Sequence, residues 1–178
     1  MTWLARIPPI TEVVLPIVNI EKAWYSPRHA YHPPCYDRNL ETYGDTDLGE
    51  PLQSPYAGFI EFVGDLGGGW GKCIRIIGYE ITKWGVKWFA WLGAHWNEIY
   101  VQIGQIVKAG TLLGTLGKTG LAPSHGAHLH EQISSGFLPP VTLLGGTSGF
   151  HWIDCNEFYQ KHGIDAKILA AISLHDGK

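Results

Sequence analysis

The sequence predicts a mainly β domain of antiparallel strands, closed at its C-terminal end by two short helices. Three observations lead there. The chain has 178 residues, enough for one domain with a genuine core and short for two. From Leu48 to Ile133, short apolar stretches alternate with turn signals rather than running at a helical period. Beyond Asp154 the pattern changes to two short helical stretches split by "HGID".

The elements follow in chain order. Residues 1–30 hold Pro8, Pro9, Pro16 and Pro27, which oppose helix and favour an extended segment wrapped around the domain. Residues 31–150 form the expected main β domain. Its strands are sought in "GFIEFVGD", "CIRIIGYEI", "VKWFAWLGAHW", "IYVQIGQIVKAG" and "TLLGTLGKTG". "CIRIIGYEI" alternates well enough for a strand with one wet face, and the dense aromatics of "KWGVKWFAWLGAHW" suit a strand that ends near His95. "GGGWGK" lacks phosphate-loop spacing and reads as a β-turn. Residues 151–178 are expected as a helical segment packed on the domain, with Asp154 and Asp165 as N-caps.

Composition excludes several classes. Hydrophobic residues at 45% and charged residues at 16% describe a globular chain, not a disordered one. A net charge of -3 leaves no electrostatic footprint for nucleic acid. Cys35, Cys73 and Cys155 are odd in number, so they cannot form a complete disulfide framework. No apolar run reaches membrane-spanning length, so membrane insertion is not expected.

The most informative stretch is "GAHLHEQI" at residues 126–133. On a strand, His128 and His130 share one face and Leu129 takes the other, with Cα atoms roughly 6.5 to 7 Å apart for the two histidines. Such a pair can hold a metal, or divide metal binding from proton transfer. An isolated H-x-H is more often two solvent-facing histidines, so other residues must decide. Upstream, "RHAYHPPCYDRN" offers His29, His32, Cys35 and Asp37 as further ligands.

Taken together, an early His and Asp a few residues apart, an isolated His before "AHWNEIYVQIGQIVKAGTLLGTLGKTG", and the late "SHGAHLHEQI" resemble the lysostaphin-type zinc endopeptidases. These cut the peptide part of bacterial peptidoglycan. The resemblance covers about Tyr31 to Ile133 and implies an antiparallel two-sheet fold with one Zn2+. Matched position by position, it implies His130 and Asp37 as zinc ligands, His128 and His95 as catalytic histidines, and Asn39 as a companion to Asp37. The sequence departs from the family at the first ligand, because Pro33 stands where the family's histidine would be. His32, one residue earlier, is favoured over His29, since a bulge can re-aim a side chain; Cys35 competes because thiolate is a good zinc ligand.

The residue types suit the chemistry. Two neutral imidazoles and one carboxylate leave zinc net positive, able to activate water and polarise a carbonyl. His128, beside ligand His130, suits the general base; His95 would orient the water or steady the oxyanion. Trp70, Trp91 and Trp96 are candidates for lining a groove around glycan or peptide stems, against the ordinary alternative of core packing. Asp45 and Asp47 lie in the turn-rich "GDTDLGEP" and are expected in a solvated loop. His151, His162 and His175 read as surface or helix-end residues.

The resemblance therefore implies a peptidoglycan hydrolase, and a monomer is expected. The N-terminus lacks the basic start and unbroken apolar stretch of a signal peptide. The expected setting is accordingly a phage endolysin made in the host cytoplasm and released by lysis or a holin, or a wall hydrolase carried on a virion. One rival is an inactive relative that binds the wall or a partner enzyme, favoured only by the displaced His32. A biotinyl- or lipoyl-type carrier is a weaker rival, because Lys118 in "LGKTG" is poorly placed for modification.

Overall fold

The computed structural model describes residues 3–19, 24–26, 35–37, 47–121, 126–138 and 151–173. Among them are ten strands: β1 (Trp24–Ser26), β2 (Cys35–Asp37), β3 (Pro51–Gln53), β4 (Gly58–Asp65), β5 (Lys72–Thr82), β6 (Gly85–Ala94), β7 (Ile106–Val107), β8 (Leu112–Thr115), β9 (Leu129–Gly136) and β10 (His151–Ile153). Helices α1 (Cys155–Lys161) and α2 (Ala166–Ser173) follow. The fold is mainly β, as the turn-punctuated pattern predicts. One sheet runs β1-β2-β9-β6-β5-β4-β7, with β10 also paired to β9, and β3 pairs with β8 in a second, two-stranded sheet.

Strand pairing within both sheets is antiparallel. The long hairpin of β5 and β6 is its centre, in register from Cys73 opposite Ala94 to Thr82 opposite Gly85. Alternation then sorts the side chains. Ile74, Ile76, Phe89, Trp91, Leu129 and Ile133 join Leu52, Leu113 and Leu116 in a buried core, to which α1 adds Phe158 and Tyr159. The other face carries a smaller buried group of Ile77, Ala90 and Phe59, covered by Ile7 from the N-terminal segment. Val13, Leu15 and Ile17 of that segment are buried in the main core.

The helices begin where their capping residues stand. The Asp154 side chain accepts from the backbone N–H groups of Asn156 and Glu157 at 2.8 and 3.1 Å, holding donors that a helix start otherwise leaves open. Asp165 accepts from the Lys167 N–H at 2.7 Å. α1 ends at His162, whose ring lies against the Glu80 carboxylate on β5. The two described cysteine side chains, Cys73 and Cys155, are buried free thiols.

Candidate active site

The register of β9 brings the candidate residues together. Ala94 of β6 and Cys35 of β2 both stand opposite His130. Residues directly opposite in a sheet share a face, and positions two apart on a strand do too. Position 37 on β2 is therefore on the His130 face, and His95 follows immediately at the end of β6. The structure joins His95 to His128 and His130, which lie 33 and 35 residues further along the chain: the His95 ring centroid is 4.6 Å from that of His128 and 5.9 Å from that of His130. All three are buried, at 4%, 6% and 4% exposure respectively.

His95 is gripped from two sides. Its backbone N–H donates to the Trp70 carbonyl at 3.2 Å, and its Nδ1 lies 3.0 Å from the Thr119 carbonyl. Because a carbonyl only accepts, Nδ1 carries the proton and Nε2 is the basic nitrogen. His95 also has φ 71°, the one non-glycine residue with positive φ among those described. Left-handed backbone is disfavoured for a residue with a β-carbon and persists where the surroundings over-determine it.

Those surroundings are two glycine loops. Gly67, Gly68, Gly69 and Gly71 all have positive φ, so "GGGWGK" is a turn, as read from the sequence. A β-carbon at Gly71 would sit 2.2 Å from the Thr119 carbonyl oxygen, and one at Gly117 would sit 2.4 Å from that of His95. Loop 67–71 thus rests backbone on backbone against loop 117–120. The Thr119 hydroxyl fastens the joint by donating to the Trp96 carbonyl at 3.0 Å and accepting from the Lys72 N–H at 2.9 Å.

His128 is oriented in the same sense as His95. Its Nδ1 lies 3.1 Å from the Gly126 carbonyl, again leaving Nε2 as the basic nitrogen. The Gln132 side-chain amide lies 3.4 Å from His130 Nε2, the kind of neighbour that fixes which ring nitrogen of a ligand histidine holds the proton. Trp70 stands edge-on to His130 with centroids 4.9 Å apart, so of the three expected groove tryptophans it is the one at the site.

Trp91 and Trp96 correct that expectation. Both are fully buried core residues with centroids 6.3 Å apart, and neither lines a groove. Each indole N–H is used internally: Trp96 donates to the Gly93 carbonyl at 2.8 Å, and Trp91 to Glu131 Oε1 at 2.6 Å. Asp47 is a second correction, buried at 6% exposure rather than solvated. His32, His29 and Asn39 lie outside the described residues, as does the side chain of Asp37. Among the described residues no group of three or more His, Cys, Asp or Glu side chains is placed to hold a metal ion.

Glu131 was not anticipated. It is fully buried beneath the histidine face, where its Oε1 accepts from Trp91 and the Tyr159 hydroxyl, and the Cys155 thiol also bonds to it. Burial pushes its carboxyl up to about 7, against the lowering effect of those donors. The signal was available in the alternation, which puts Glu131 on the same face as Leu129 and Ile133.

Comparison with known proteins adds a family. The sequence profile of Peptidase family M23 matches residues 44–137. A search of curated proteins found no match. Among solved structures, the antimicrobial peptidase lysostaphin from Staphylococcus simulans aligns with TM-score 0.52 at 23% identity, covering 84% of this chain and 55% of that one. The solution structure of lysostaphin aligns with TM-score 0.53 at 21% identity, covering 83% and 54%. The catalytic domain of the prophage-encoded M23 protein EnpA from Enterococcus faecalis, as its A109H mutant, aligns with TM-score 0.48 at 18% identity, covering 74% and 88%. The chain therefore spans about half the length of the lysostaphin structures, and the likeness is one of fold.

Proposed function

The chain belongs to peptidase family M23, and from that premise we propose that it is a zinc-dependent endopeptidase hydrolysing peptide cross-links or stem peptides of bacterial peptidoglycan. The observation that carries this reading is the convergence of His95, His128 and His130, two of them with the proton held at Nδ1 by a backbone carbonyl.

The donor chemistry fits zinc as far as it is described. His130 would be one ligand, oriented by Gln132, and position 37 on the adjacent strand would bring a carboxylate; His32 completes the proposed set. Zinc bound there would supply the Lewis acidity that makes a water nucleophilic near neutral pH and polarises the scissile carbonyl.

The remaining work falls to the histidines. His128 Nε2 takes a proton from the attacking water and returns one to the leaving amine. Neutral His95 offers Nε2 as an acceptor, so it orients the water; once protonated, the same nitrogen donates to a developing oxyanion. With the rings 4.6 Å apart, two imidazolium charges would repel by about 4 kcal/mol at an effective dielectric near 20. The pair therefore shuttles a single proton. Burial of all three rings limits competing water. Trp70 is the substrate contact we assign, and Asn39 is proposed to support Asp37.

The test is zinc content by elemental analysis, paired with clearing of purified peptidoglycan before and after chelation. One zinc per chain and chelator-sensitive clearing are expected; a metal-free protein that binds the wall without cutting it would favour the inactive-relative reading. The setting we attach is lysis of a bacterial host, as an endolysin or a virion-associated hydrolase. It rests on the sequence expectation alone and is tested by whether expression with a holin lyses cells.

A further inference from the structure

The far end of the β5–β6 hairpin has no part in that chemistry. β6 is ten residues long, so its start lies about 30 Å from His95 at a strand rise of roughly 3.3 Å per residue. Lys83 and Trp84 form the turn. It is stiffened by Thr82, whose hydroxyl donates to the Gly85 carbonyl at 2.8 Å and accepts from the Trp84 N–H at 3.1 Å.

This stiff tip presents apolar side chains to solvent. Ile81 is 79% exposed and Trp84 76% exposed, the two highest values among the described large hydrophobic residues. Val86 stands opposite Ile81 and is also exposed. The β6–β9 pairing ends with Trp88 opposite Gly136, and Phe137 and Leu138, which follow, are both exposed. Contiguous exposed apolar surface of this kind marks an interaction site.

The charges identify the partner. Residues 81–86 contain Lys83 and no acidic residue, in a chain whose net charge is -3, whereas Lys87 is half-buried on the opposite strand face with its ammonium 5.3 Å from the Phe89 ring. The nearest acidic neighbour in sequence, Glu80, is engaged by His162 and Lys161. Lys83 lies over the Trp84 ring at 4.9 Å. A glycan would use the tryptophan but has no need of Ile81 and Val86, whereas a bilayer interface takes aliphatic side chains, an indole at headgroup level and a lysine against anionic lipid.

We propose that the β5–β6 hairpin tip is a peripheral docking site for an anionic lipid surface, holding Ile81 and Trp84 at the headgroup boundary with Lys83 against the charge. Because the turn is already ordered, docking requires little further immobilisation of the chain. The contact is shallow and does not span the membrane; no described helix is long and apolar enough to do so.

The test is co-sedimentation of the full chain with vesicles of phosphatidylcholine, alone or with about 30% phosphatidylglycerol, at low and high salt. Binding at least about tenfold stronger to the anionic vesicles, weakened by salt, is expected. Ile81→Ser with Trp84→Ser, and separately Lys83→Glu, should each lower it about tenfold or more while leaving thermal unfolding and peptidoglycan clearing unchanged. Equal binding to both vesicle types, or variants that bind like the wild type, would overturn the proposal. So would wild-type self-association without lipid that the variants lose, which would make the patch a contact between copies of the chain.

Discussion

The two faces of β9 carry buried titratable groups in quite different company. On one face, His130 and, just ahead of the strand, His128 meet His95 ring to ring, with hydrogen bonds made to backbone carbonyls and a side-chain amide. On the other, Glu131 is surrounded by donors from β6 and α1: Trp91, Tyr159 and Cys155. The first arrangement holds the proton of His95 and of His128 at Nδ1, and the second commits a carboxylate to holding the strand in place. One strand can do both because its period of two keeps the jobs apart. A reactive face is held to a tight geometry by what is fixed behind it.

The largest effects should come from the histidine face. His128→Ala is expected to lower turnover between about a hundredfold and ten-thousandfold while retaining zinc, whereas His130→Ala and Asp37→Ala should lose zinc and activity together. Elemental analysis beside a clearing assay reads both, and normal activity with full zinc in His130→Ala would sink the assignment. Each variant should melt as cooperatively as the wild type, because the opposite face is intact.

Breaking the Glu131 side should do the reverse. Glu131→Ala strands the buried Trp91 and Tyr159 donors, at roughly 3 kcal/mol or more of stability, and any fall in activity should track the fraction unfolded in a denaturant titration. Glu131→Gln keeps an acceptor and should cost about 1 kcal/mol.

The pH dependence sharpens the contrast. The Glu131 carboxyl, at about 7 when folded, holds its proton more tightly in the native state than in the unfolded chain, where it titrates near 4.5. Its contribution is complete below about pH 4.5 and is lost as pH rises toward 7, by on the order of 3 kcal/mol. Glu131→Gln should lack that decline, so the gap between the two stability curves must change across this window. Curves that stay parallel would show that the carboxyl is not perturbed.

The smallest effect concerns His95. With φ 71°, glycine suits the backbone better than alanine does, so His95→Gly should be about 1 kcal/mol more stable than His95→Ala. Chemical denaturation separates the two, and neither should recover wild-type turnover.

Much of this was legible in the residues. Turn-punctuated apolar stretches gave the strands, Asp154 and Asp165 gave the helix starts, and "HLH" placed two histidines on one face. The burial of Trp91 was not legible, because alternation groups it with Phe89 but does not say which face of β6 is covered. Trp96 lies beyond the strand, in a crossing set by the packing of Gly114 and Gly117. The left-handed His95 carries no sequence mark either, since its conformation is imposed by loops distant in the chain. Glu131 shows the opposite case: its position was readable, but its charge argued against a burial that only three donors from elsewhere make tolerable.

The two glycine loops that clasp His95 set a boundary for anyone who wishes to retarget this scaffold. At Gly71 and Gly117 a side chain would have to occupy space already filled by another stretch of main chain, so random libraries there would return mostly misfolded clones. Trp70, in the same loop but with its ring against His130, is where diversity can be sampled without loosening the clasp.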